Sequence, residues 1–233
     1  MDAIILAGGF GTRLKSVISD IPKPLAPING KPFLQYLMDF LNSQKGIVDN
    51  VILSLGYMQD KVINHFNAKY KDINIIYSLE KEPMGTGGAI KQALNYTVSE
   101  DAFILNGDTF FDLDLKKMSQ FYVSNGAELV TALKKMDNSE RYGFVEIDES
   151  FRIINFSEKK DAKQGYINGG VYITNKDVFK RFSINDKFSF EKDFIEKYLK
   201  NLNLLGYISD GYFIDIGIPE DYEKAKKEIG KLI

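Results

Sequence analysis

The 233-residue sequence contains no cysteine and only one histidine, His65. Without cysteine the chain cannot form disulfides, zinc–thiolate sites, iron–sulfur clusters or a thiol nucleophile. With one histidine it has almost no material for a Ser-His-Asp triad or a multi-histidine metal site. Any bound metal therefore has to be held by oxygen atoms, which indicates a hard ion such as Mg²⁺. We expect His65 to lie at the surface of an amphipathic helix.

The sequence also lacks a basic excess and a long apolar run. Lys and Arg total 30 against 32 Asp and Glu, so the chain does not have the positive surplus typical of proteins that grip nucleic acid by its phosphates. No stretch approaches the roughly 20 apolar residues of a membrane span. The first residues do not resemble a signal peptide. We therefore expect a cytoplasmic protein that binds neither nucleic acid nor membrane.

Apolar and amphipathic segments alternate along the first half of the chain, and this pattern predicts an α/β fold. Strands are predicted at 3–6, 51–55, 73–77 and 103–105, and helices at 33–41, 61–70 and 88–98. Nearly continuous apolar strands of this kind are typical of a parallel sheet covered by helices on both faces. In such sheets the ligand lies beyond the carboxyl ends of the strands.

The second half has short strands separated by turn residues, which predict antiparallel hairpins inserted into or added beside the first sheet. We expect strands at 129–133, 143–147, 153–156 and 170–173, and helices at 190–199 and 220–229. No Pro/Ser-rich linker and no internal repeat divides the chain. The sequence thus predicts a single domain over 1–233 with a mixed, mainly parallel sheet.

A glycine-rich segment, LAGGFGTRL at 6–14, follows the first predicted strand. Glycines here let the backbone approach a bulky anion and turn N–H groups toward it. The spacing does not fit a dinucleotide fingerprint, because Leu14 stands where the third glycine is needed, and the Gly-Lys-Ser/Thr of a P-loop is absent. Between Gly8 and Lys31 the charges are Arg13, Lys15, Lys23 and Lys31 against Asp20, a local charge of +3. This indicates a polyphosphate site, the alternative being a glycine turn followed by a solvated basic loop.

The segment LAGGFGTRL followed by PKPL at 22–25 resembles the signature of sugar-1-phosphate nucleotidylyltransferases. The resemblance implies a Rossmann-like domain of the glycosyltransferase-A type and an Mg²⁺-dependent enzyme that joins a nucleoside triphosphate to a sugar 1-phosphate. It implies two catalytic residues: Arg13, which contacts the triphosphate and stabilises the leaving pyrophosphate, and Lys23, which bridges the reacting phosphates. The loop residues expected to bind the nucleotide, besides Arg13 and Lys23, are Leu6, Ala7, Gly8, Gly9, Gly11 and Thr12. Such chemistry between two anions depends on positioning and charge neutralisation and needs no protein nucleophile.

Two aspartates follow apolar runs and are candidates for the metal site. Asp108 ends the segment NGD after the strand predicted at 103–105, and Asp215 lies in FIDIG at 213–217. Each alone would more commonly be a turn or capping residue, but the resemblance assigns both to Mg²⁺ and Asp108 also to the nucleotide. Asp112 and Asp114 are expected to cap the next helix.

The segment EKEPMGTGGA at 80–89 resembles the family segment that contacts base and ribose. It implies that Glu80, Gly85, Thr86 and Gly88 bind the nucleotide. A carboxylate is an acceptor only and suits the adjacent N1–H and N2 amino donors of guanine, whereas a glutamine would suit uracil or thymine. We therefore predict GTP as the substrate, with UTP or dTTP as alternatives. Glu82 could play the same part as Glu80.

Three pairs in the hairpin region resemble the sugar-phosphate pocket of the family. The residues so implied are Tyr142, Gly143, Glu158, Lys159, Asn168 and Gly170. The resemblance divides the domain into a nucleotide-binding part at about 1–110 and a sugar-phosphate-binding part at about 111–233. The segments FGTRL, PKPLAPINGKPFLQYL and EPMGTGGAI resemble those of the family members that act on D-glycero-D-manno-heptose 1-phosphate. The resemblance implies that the product is GDP-heptose for surface carbohydrate. Mannose 1-phosphate remains an alternative sugar.

Two other classes of function are alternatives to this enzyme. A nucleotide-sugar sensor would keep the pocket without turnover, but the intact set Arg13, Lys23, Asp108 and Asp215 argues against it. A nicotinamide-dependent oxidoreductase is disfavoured by the glycine spacing. The resemblance further implies a homodimer or a larger assembly, although no segment identifies the interface.

Overall fold

A computed structural model describes residues 1–9, 11–14, 17–18, 21–136, 144–157 and 165–231, with the backbone alone for Thr12 and Lys231. The strands are β1 Asp2–Leu6, β2 Pro27–Ile28, β3 Lys31–Pro32, β4 Asn50–Leu55, β5 Lys69–Tyr70, β6 Ile73–Leu79, β7 Asp101–Asn106, β8 Thr109–Phe111, β9 Leu129–Met136, β10 Phe144–Ile147, β11 Ile153–Ser157, β12 Gly165–Asn175, β13 Leu204–Ile208 and β14 Phe213–Asp215. The α-helices are α1 Phe33–Ser43, α2 Gln59–Phe66, α3 Gly85–Ala93, α4 Leu115–Ser124 and α5 Pro219–Glu228, and a π-helix spans Phe190–Glu196. None of the helices in these ranges is both long and apolar enough to cross a membrane.

Within the described part of the chain, ten strands form one mixed sheet whose main path is β11-β10-β12-β7-β1-β4-β6-β5. At its centre β1 is parallel to both β4 and β7, and β4 is parallel to β6. The long strand β12 is antiparallel to β7, β9 and β10, and β13 is parallel to β9. The predicted α/β class is confirmed, with parallel strands in the first half and antiparallel hairpins added beside them.

The two faces of the sheet bury separate hydrophobic clusters. On β1, Ala3 and Ile5 belong to one cluster and Ile4 to the other, and all three side chains are fully buried. One cluster packs against α1, α2, α4 and α5, and the other packs against α3 and the π-helix. A strand buried on both faces is apolar at most of its positions. This is why the central strands can be recognised in the sequence as short, nearly continuous apolar runs.

Several element boundaries differ from the sequence prediction. The helix predicted at 61–70 ends at Phe66, because Asn67 has a positive φ of 56° that leaves the helical conformation. The residues after it form β5, which pairs with β6. The helix predicted at 190–199 begins as a π-helix, which no apolar periodicity distinguishes from an α-helix. Asp114 caps α4 as predicted, accepting a hydrogen bond from the backbone N–H of Lys117 at 2.9 Å.

The prediction for Asp112 was wrong, and the prediction for His65 is confirmed. The backbone N–H of Asp112 instead donates to the carbonyl of Tyr212 at 2.8 Å, which extends the pairing of β8 with β14. His65 lies exposed on α2.

Phe194→Ala should strongly destabilise the fold. Phe194 is fully buried on the π-helix, and its ring centroid lies 4.8 Å from that of Phe179 and 5.7 Å from that of Phe190. We expect the substitution to reduce the free energy of unfolding by about 3–5 kcal/mol in urea titrations, because it removes a core ring and leaves a cavity. Val123→Ala, at a side chain 68% exposed, serves as the control and should change it by less than about 0.5 kcal/mol. Equal effects of the two substitutions would contradict this assignment of the core.

Candidate functional site

A cleft of about 530 Å³ opens at the carboxyl edge of the parallel strands. Its walls come from residues that end or follow β1, β4, β6 and β7, from the 3₁₀ turn Lys23–Leu25 and from the start of α3. They are Leu6, Ala7, Gly8, Gly9, Lys23, Pro24, Gly56, Tyr57, Glu80, Lys81, Glu82, Pro83, Gly85, Thr86, Ala89, Asn106, Gly107 and Asp108. This is the edge at which parallel α/β sheets bind ligands.

The glycine-rich loop continues β1 in close contact with the loop after β4. The backbone N–H of Ala7 donates to the Ser54 carbonyl at 2.8 Å, and that of Tyr57 donates to the Gly8 carbonyl at 3.3 Å. A Cβ on Gly8 would lie 2.5 Å from Oε1 of Glu80 and 3.1 Å from the Gly56 nitrogen. Glycine at position 8 is therefore needed for close packing of the loop, and it allows the Glu80 carboxylate to approach the backbone.

Glu80 follows β6 and carries its carboxylate into the cleft. Its Oε2 accepts a hydrogen bond from the backbone N–H of Met84 at 3.1 Å, which fixes the orientation of the side chain. Burial raises the pKa of the Glu80 carboxyl, and the Met84 N–H acts in the opposite direction. A carboxylate held in this way is an acceptor directed at the cleft.

Lys23 and Asp108 form an ion pair at the floor of the cleft. Lys23 Nζ lies 2.5 Å from Asp108 Oδ2, and the lysine side chain is only 12% exposed. The lysine begins a short 3₁₀ turn, Lys23–Leu25, whose start is set by Pro22 and Pro24. The neighbouring prolines therefore restrict the backbone at Lys23. Its partner Asp108 is positioned instead by the end of β7.

Asp215 reaches the same place through the pairing of β14 with β8. Asp215 lies opposite Thr109 in this antiparallel ladder, and the backbone N–H of Ile216 donates to the Asp108 carbonyl at 2.9 Å. Burial and the negative charge of Asp108 raise the pKa of Asp215 to about 6, although Lys23 and the N–H of Gly217 act in the opposite direction. The two carboxylates thus repel each other across a partly dehydrated site.

The glycines that open α3 face two different ways. Gly85, with a positive φ of 72°, and Thr86 line the cleft. A Cβ on Gly87 would lie 2.1 Å from the Phe188 ring, and one on Gly88 would lie 2.2 Å from the Asp186 carbonyl. The Cα of Gly88 is thus packed against the segment 186–188, and Gly88 is not among the residues that line the cleft. That Gly88 binds the nucleotide stays a prediction.

The structure brings together most of the predicted nucleotide residues but not all of the predicted site. Those that line the cleft are Leu6, Ala7, Gly8, Gly9, Lys23, Glu80, Gly85, Thr86 and Asp108, whereas Gly11, Arg13, Gly88, Asn168, Gly170 and Asp215 are not in the lining. Arg13 is exposed. Tyr142, Gly143, Glu158 and Lys159 lie outside the described residues, as does the side chain of Thr12. Gly56 and Tyr57 were missed, although their position directly after a buried strand was a usable signal.

Asn168 and Gly170 form a bulge in β12 that supports the wall of the cleft. Asn168 Oδ1 accepts from the Thr131 hydroxyl at 3.0 Å and from the Gly170 N–H at 3.1 Å. Gly170 has a positive φ of 68°, and a Cβ there would lie 2.7 Å from Nδ2 of Asn106. The bulge therefore packs directly behind Asn106, which lines the cleft two residues before Asp108.

Comparison with known proteins agrees with this geometry. Residues 2–231 match the nucleotidyl transferase family. The chain is 52% identical to the D-glycero-alpha-D-manno-heptose 1-phosphate guanylyltransferase of Aneurinibacillus thermoaerophilus, over 98% of this chain and 98% of that protein. It is 50% identical to the protein of the same name from Campylobacter jejuni, over 95% of this chain and 97% of the relative.

Solved structures of similar proteins have the same fold. The crystal structure of HddC from Yersinia pseudotuberculosis has a TM-score of 0.87 and 41% identity, covering 98% of this chain and 99% of that one. HddC complexed with GMP-PN has a TM-score of 0.85 and 42% identity, with the same coverage. A UDP-glucose pyrophosphorylase complexed with UDP-glucose, at 21% identity and a TM-score of 0.82 over 100% of both chains, shares the fold.

Asp215→Asn should stabilise the metal-free protein at neutral pH. A folded-state pKa of about 6 lies above the ordinary value of 3.8, so the folded protein binds the proton more tightly and the free energy of unfolding falls as pH rises between the two values. Asparagine does not titrate and can still accept from the Gly217 N–H. In chelator at pH 8 we expect the variant to be more stable by on the order of 2 kcal/mol, with the difference vanishing below pH 4. The measurement is urea unfolding across pH; exposed Asp210→Asn is the control. A variant less stable than the parent at pH 8 would contradict this account.

Proposed function

Because the chain belongs to the nucleotidyl transferase family, we propose that it transfers GMP from GTP to a sugar 1-phosphate, namely D-glycero-α-D-manno-heptose 1-phosphate, giving GDP-heptose and pyrophosphate. The observation that carries the proposal is the cleft at the carboxyl edge of the sheet, where Lys23 Nζ lies 2.5 Å from Asp108 Oδ2 and Glu80 also lines the cleft. The near-full-length identity of 50–52% to two heptose 1-phosphate guanylyltransferases supports the choice of both substrates.

In the proposed reaction an oxygen of the sugar phosphate attacks the α-phosphorus of GTP. The new phosphoanhydride bond forms as the bond to the β-phosphate breaks, and pyrophosphate leaves with the electron pair. The main obstacle is repulsion between two anions, so cations have to be positioned before the reactants meet. Lys23 is assigned to the α-phosphate and the attacking oxygen, and Arg13 to the departing pyrophosphate. The exposure of Arg13 leaves it accessible to a triphosphate.

The residues present fit a divalent metal ion. Asp108 and Asp215 offer oxygen ligands of the type that Mg²⁺ prefers. Burial, and after it the negative charge of Asp108, raises the pKa of Asp215, and a cation bound here would offset both effects. Among the described residues no cluster of three or more potential metal-ligating side chains is found, so phosphate oxygens or water would complete the shell. When bound, Mg²⁺ would neutralise phosphate charge and polarise the phosphoryl group.

The base preference is assigned to Glu80. Its carboxylate lines the cleft beside Gly8 and is fixed by the Met84 N–H, so an acceptor meets the ligand at this wall. Guanine presents adjacent N1–H and N2 donors, which match an acceptor, whereas uracil and thymine present one donor and one acceptor. Glu82 also lines the cleft but is exposed.

The binding site for the sugar phosphate is proposed from the resemblance of three sequence segments to the family and from the names of the similar proteins. Glu158 and Lys159 would contact the sugar hydroxyls and its phosphate, and Tyr142 and Gly143 would line the same pocket. Mannose 1-phosphate is the alternative acceptor. We expect the reaction to be cytoplasmic, since its triphosphate substrate is made there, and we expect a homodimer as in other members of the family.

A panel of GTP, ATP, CTP, UTP and dTTP, each with heptose 1-phosphate and mannose 1-phosphate, should show the highest pyrophosphate release with GTP and the heptose. Glu80→Gln should reduce kcat/KM for GTP by about tenfold, since one hydrogen-bonded pair to a charged group is worth about 1.5–3 kcal/mol, and should reduce it least for UTP. Glu82→Gln is the matched control and should leave the order of nucleotides unchanged. A parent enzyme that prefers UTP or dTTP would remove the argument from Glu80.

Lys23→Ala and Arg13→Ala should each lower kcat/KM by at least about 100-fold while the melting temperature of the protein stays high, because both remove positive charge from the transition state. Exposed Lys116→Ala should have no effect on rate. Excess chelator should abolish pyrophosphate release, and added Mg²⁺ should restore it. Full turnover in chelator, or normal turnover in Lys23→Ala, would show that these roles are misassigned.

A further inference from the structure

A continuous chain of side-chain hydrogen bonds runs beneath the cleft, from the start of α3 to the bulge of β12. The Thr86 hydroxyl donates to Glu191 Oε2 at 2.9 Å, and the Tyr172 hydroxyl donates to Glu191 Oε1 at 3.0 Å. Tyr172 in turn accepts from Asn168 Nδ2 at 2.6 Å, and Asn168 Oδ1 accepts from the Gly170 N–H at 3.1 Å. We call this set, Thr86, Glu191, Tyr172, Asn168 and Gly170, the cross-brace.

The two ends of the cross-brace reach two parts of the cleft lining that come from different elements, α3 and the end of β7. Thr86 lines it directly on the side of α3. At the other end Gly170 packs against the side chain of Asn106, which lines the cleft next to Gly107 and Asp108. Glu191 is the middle of the chain and is not in the lining itself. It is therefore placed to act through its neighbours rather than on a substrate.

Glu191 is held rigidly by the π-helix that carries it. Phe190 and Phe194 are fully buried on either side of it, and their rings stack 5.7 Å apart. The Phe190 N–H donates to the Thr86 hydroxyl at 2.8 Å, so the helix backbone binds the same residue as the carboxylate. Tyr172 is fully buried and lies edge-on to the Phe190 ring at 5.1 Å. π-Helical turns are rare and are often found at functional sites.

We infer that Glu191 is a positioning residue that sets the distance between the α3 wall and the Asp108 wall of the cleft. The inference rests on the proposed function, in which these walls hold the nucleotide and the metal-binding carboxylate. A shift of one wall against the other would move the reactants apart without removing any group that binds them. Loss of Glu191 should therefore reduce the rate of the chemical step more than it reduces affinity.

Donor and acceptor accounting makes Glu191→Gln an informative variant. Glu191 accepts from the hydroxyls of Thr86 and Tyr172 and, at the longer distance of 3.5 Å, from that of Ser189. The Thr86 and Tyr172 hydroxyls each already accept an N–H, from Phe190 and from Asn168. A glutamine has one acceptor oxygen, and its NH₂ cannot accept. Whichever way the amide turns, one hydroxyl loses its acceptor while the side-chain volume is unchanged. The variant thus breaks one link of the cross-brace and leaves the packing intact.

The first test needs no substrate and measures hydrogen exchange by NMR or mass spectrometry. In Glu191→Gln we expect the amide hydrogens of Gly87 and Gly170 to exchange at least about fivefold faster, because both ends of the brace loosen. Tyr172→Phe should accelerate exchange at Gly170 in the same way. Exposed Glu149→Gln is the matched control and should change neither site. Acceleration confined to residues 186–196 in both variants would overturn the inference, whatever the enzyme's substrates are.

The second test is kinetic and separates positioning from binding. We expect Glu191→Gln to lower kcat by about tenfold, with KM for GTP and for the sugar phosphate within twofold of the parent. Tyr172→Phe should act in the same direction, and the double variant should be no slower than the slower single variant, since both break one network. A parent without turnover would refute the proposed function but not the brace. An active parent with kcat unchanged in Glu191→Gln, or with additive losses in the double variant, would overturn the brace as a positioning device.

Discussion

The electrostatic contact among Lys23, Asp108 and Asp215 is the interaction on which the rest of the site depends. The Lys23 ammonium group lies 2.5 Å from the Asp108 carboxylate, and burial together with the charge of Asp108 raises the pKa of Asp215. Such a group of charges is costly in a dry interior and would separate in an open loop. It is held together here because three backbone segments converge on one edge of a rigid sheet.

That convergence rests on backbone pairing and close packing. Gly107 donates its N–H to the Leu6 carbonyl at 2.9 Å, which ties the end of β7 to the end of β1 before the chain turns to Asp108. The short pairing of β14 with β8 then returns the C-terminal segment to the same edge. Around these ladders, glycines at 8, 87 and 88 are in contact with neighbouring groups on their open side. Glycine in this site thus permits contact between protein segments as much as approach of a ligand.

Much of the fold could be predicted from the chain itself. Nearly continuous apolar runs mark β1, β4, β6 and β7, because both faces of the sheet are buried. The helical spacing of apolar residues marks α1, because that helix packs against one face of the sheet. Together these patterns indicate parallel strands covered by helices. The glycine loop, Lys23 between its prolines, and Glu80 could be placed at the edge for the same reason, since each directly follows a strand or lies in a motif. The end of α2 at Asn67 and the π-helical hydrogen bonding at 190–196 could not be predicted. There a single backbone angle or a shift in hydrogen bonding changes the element without changing the hydrophobic pattern.

The amino-acid sequence was enough to establish the class of fold, the oxygen-only chemistry available for a metal, and the position of the glycine-rich loop after β1, because these depend on composition and on local spacing. The three-dimensional fold was needed to show that Gly88 packs against Asp186, that Asp215 lies beside Asp108, and that Glu191 joins Thr86 to Tyr172. These facts concern residues far apart in the chain, whose contacts arise from sheet register and packing, and no local pattern encodes such distances.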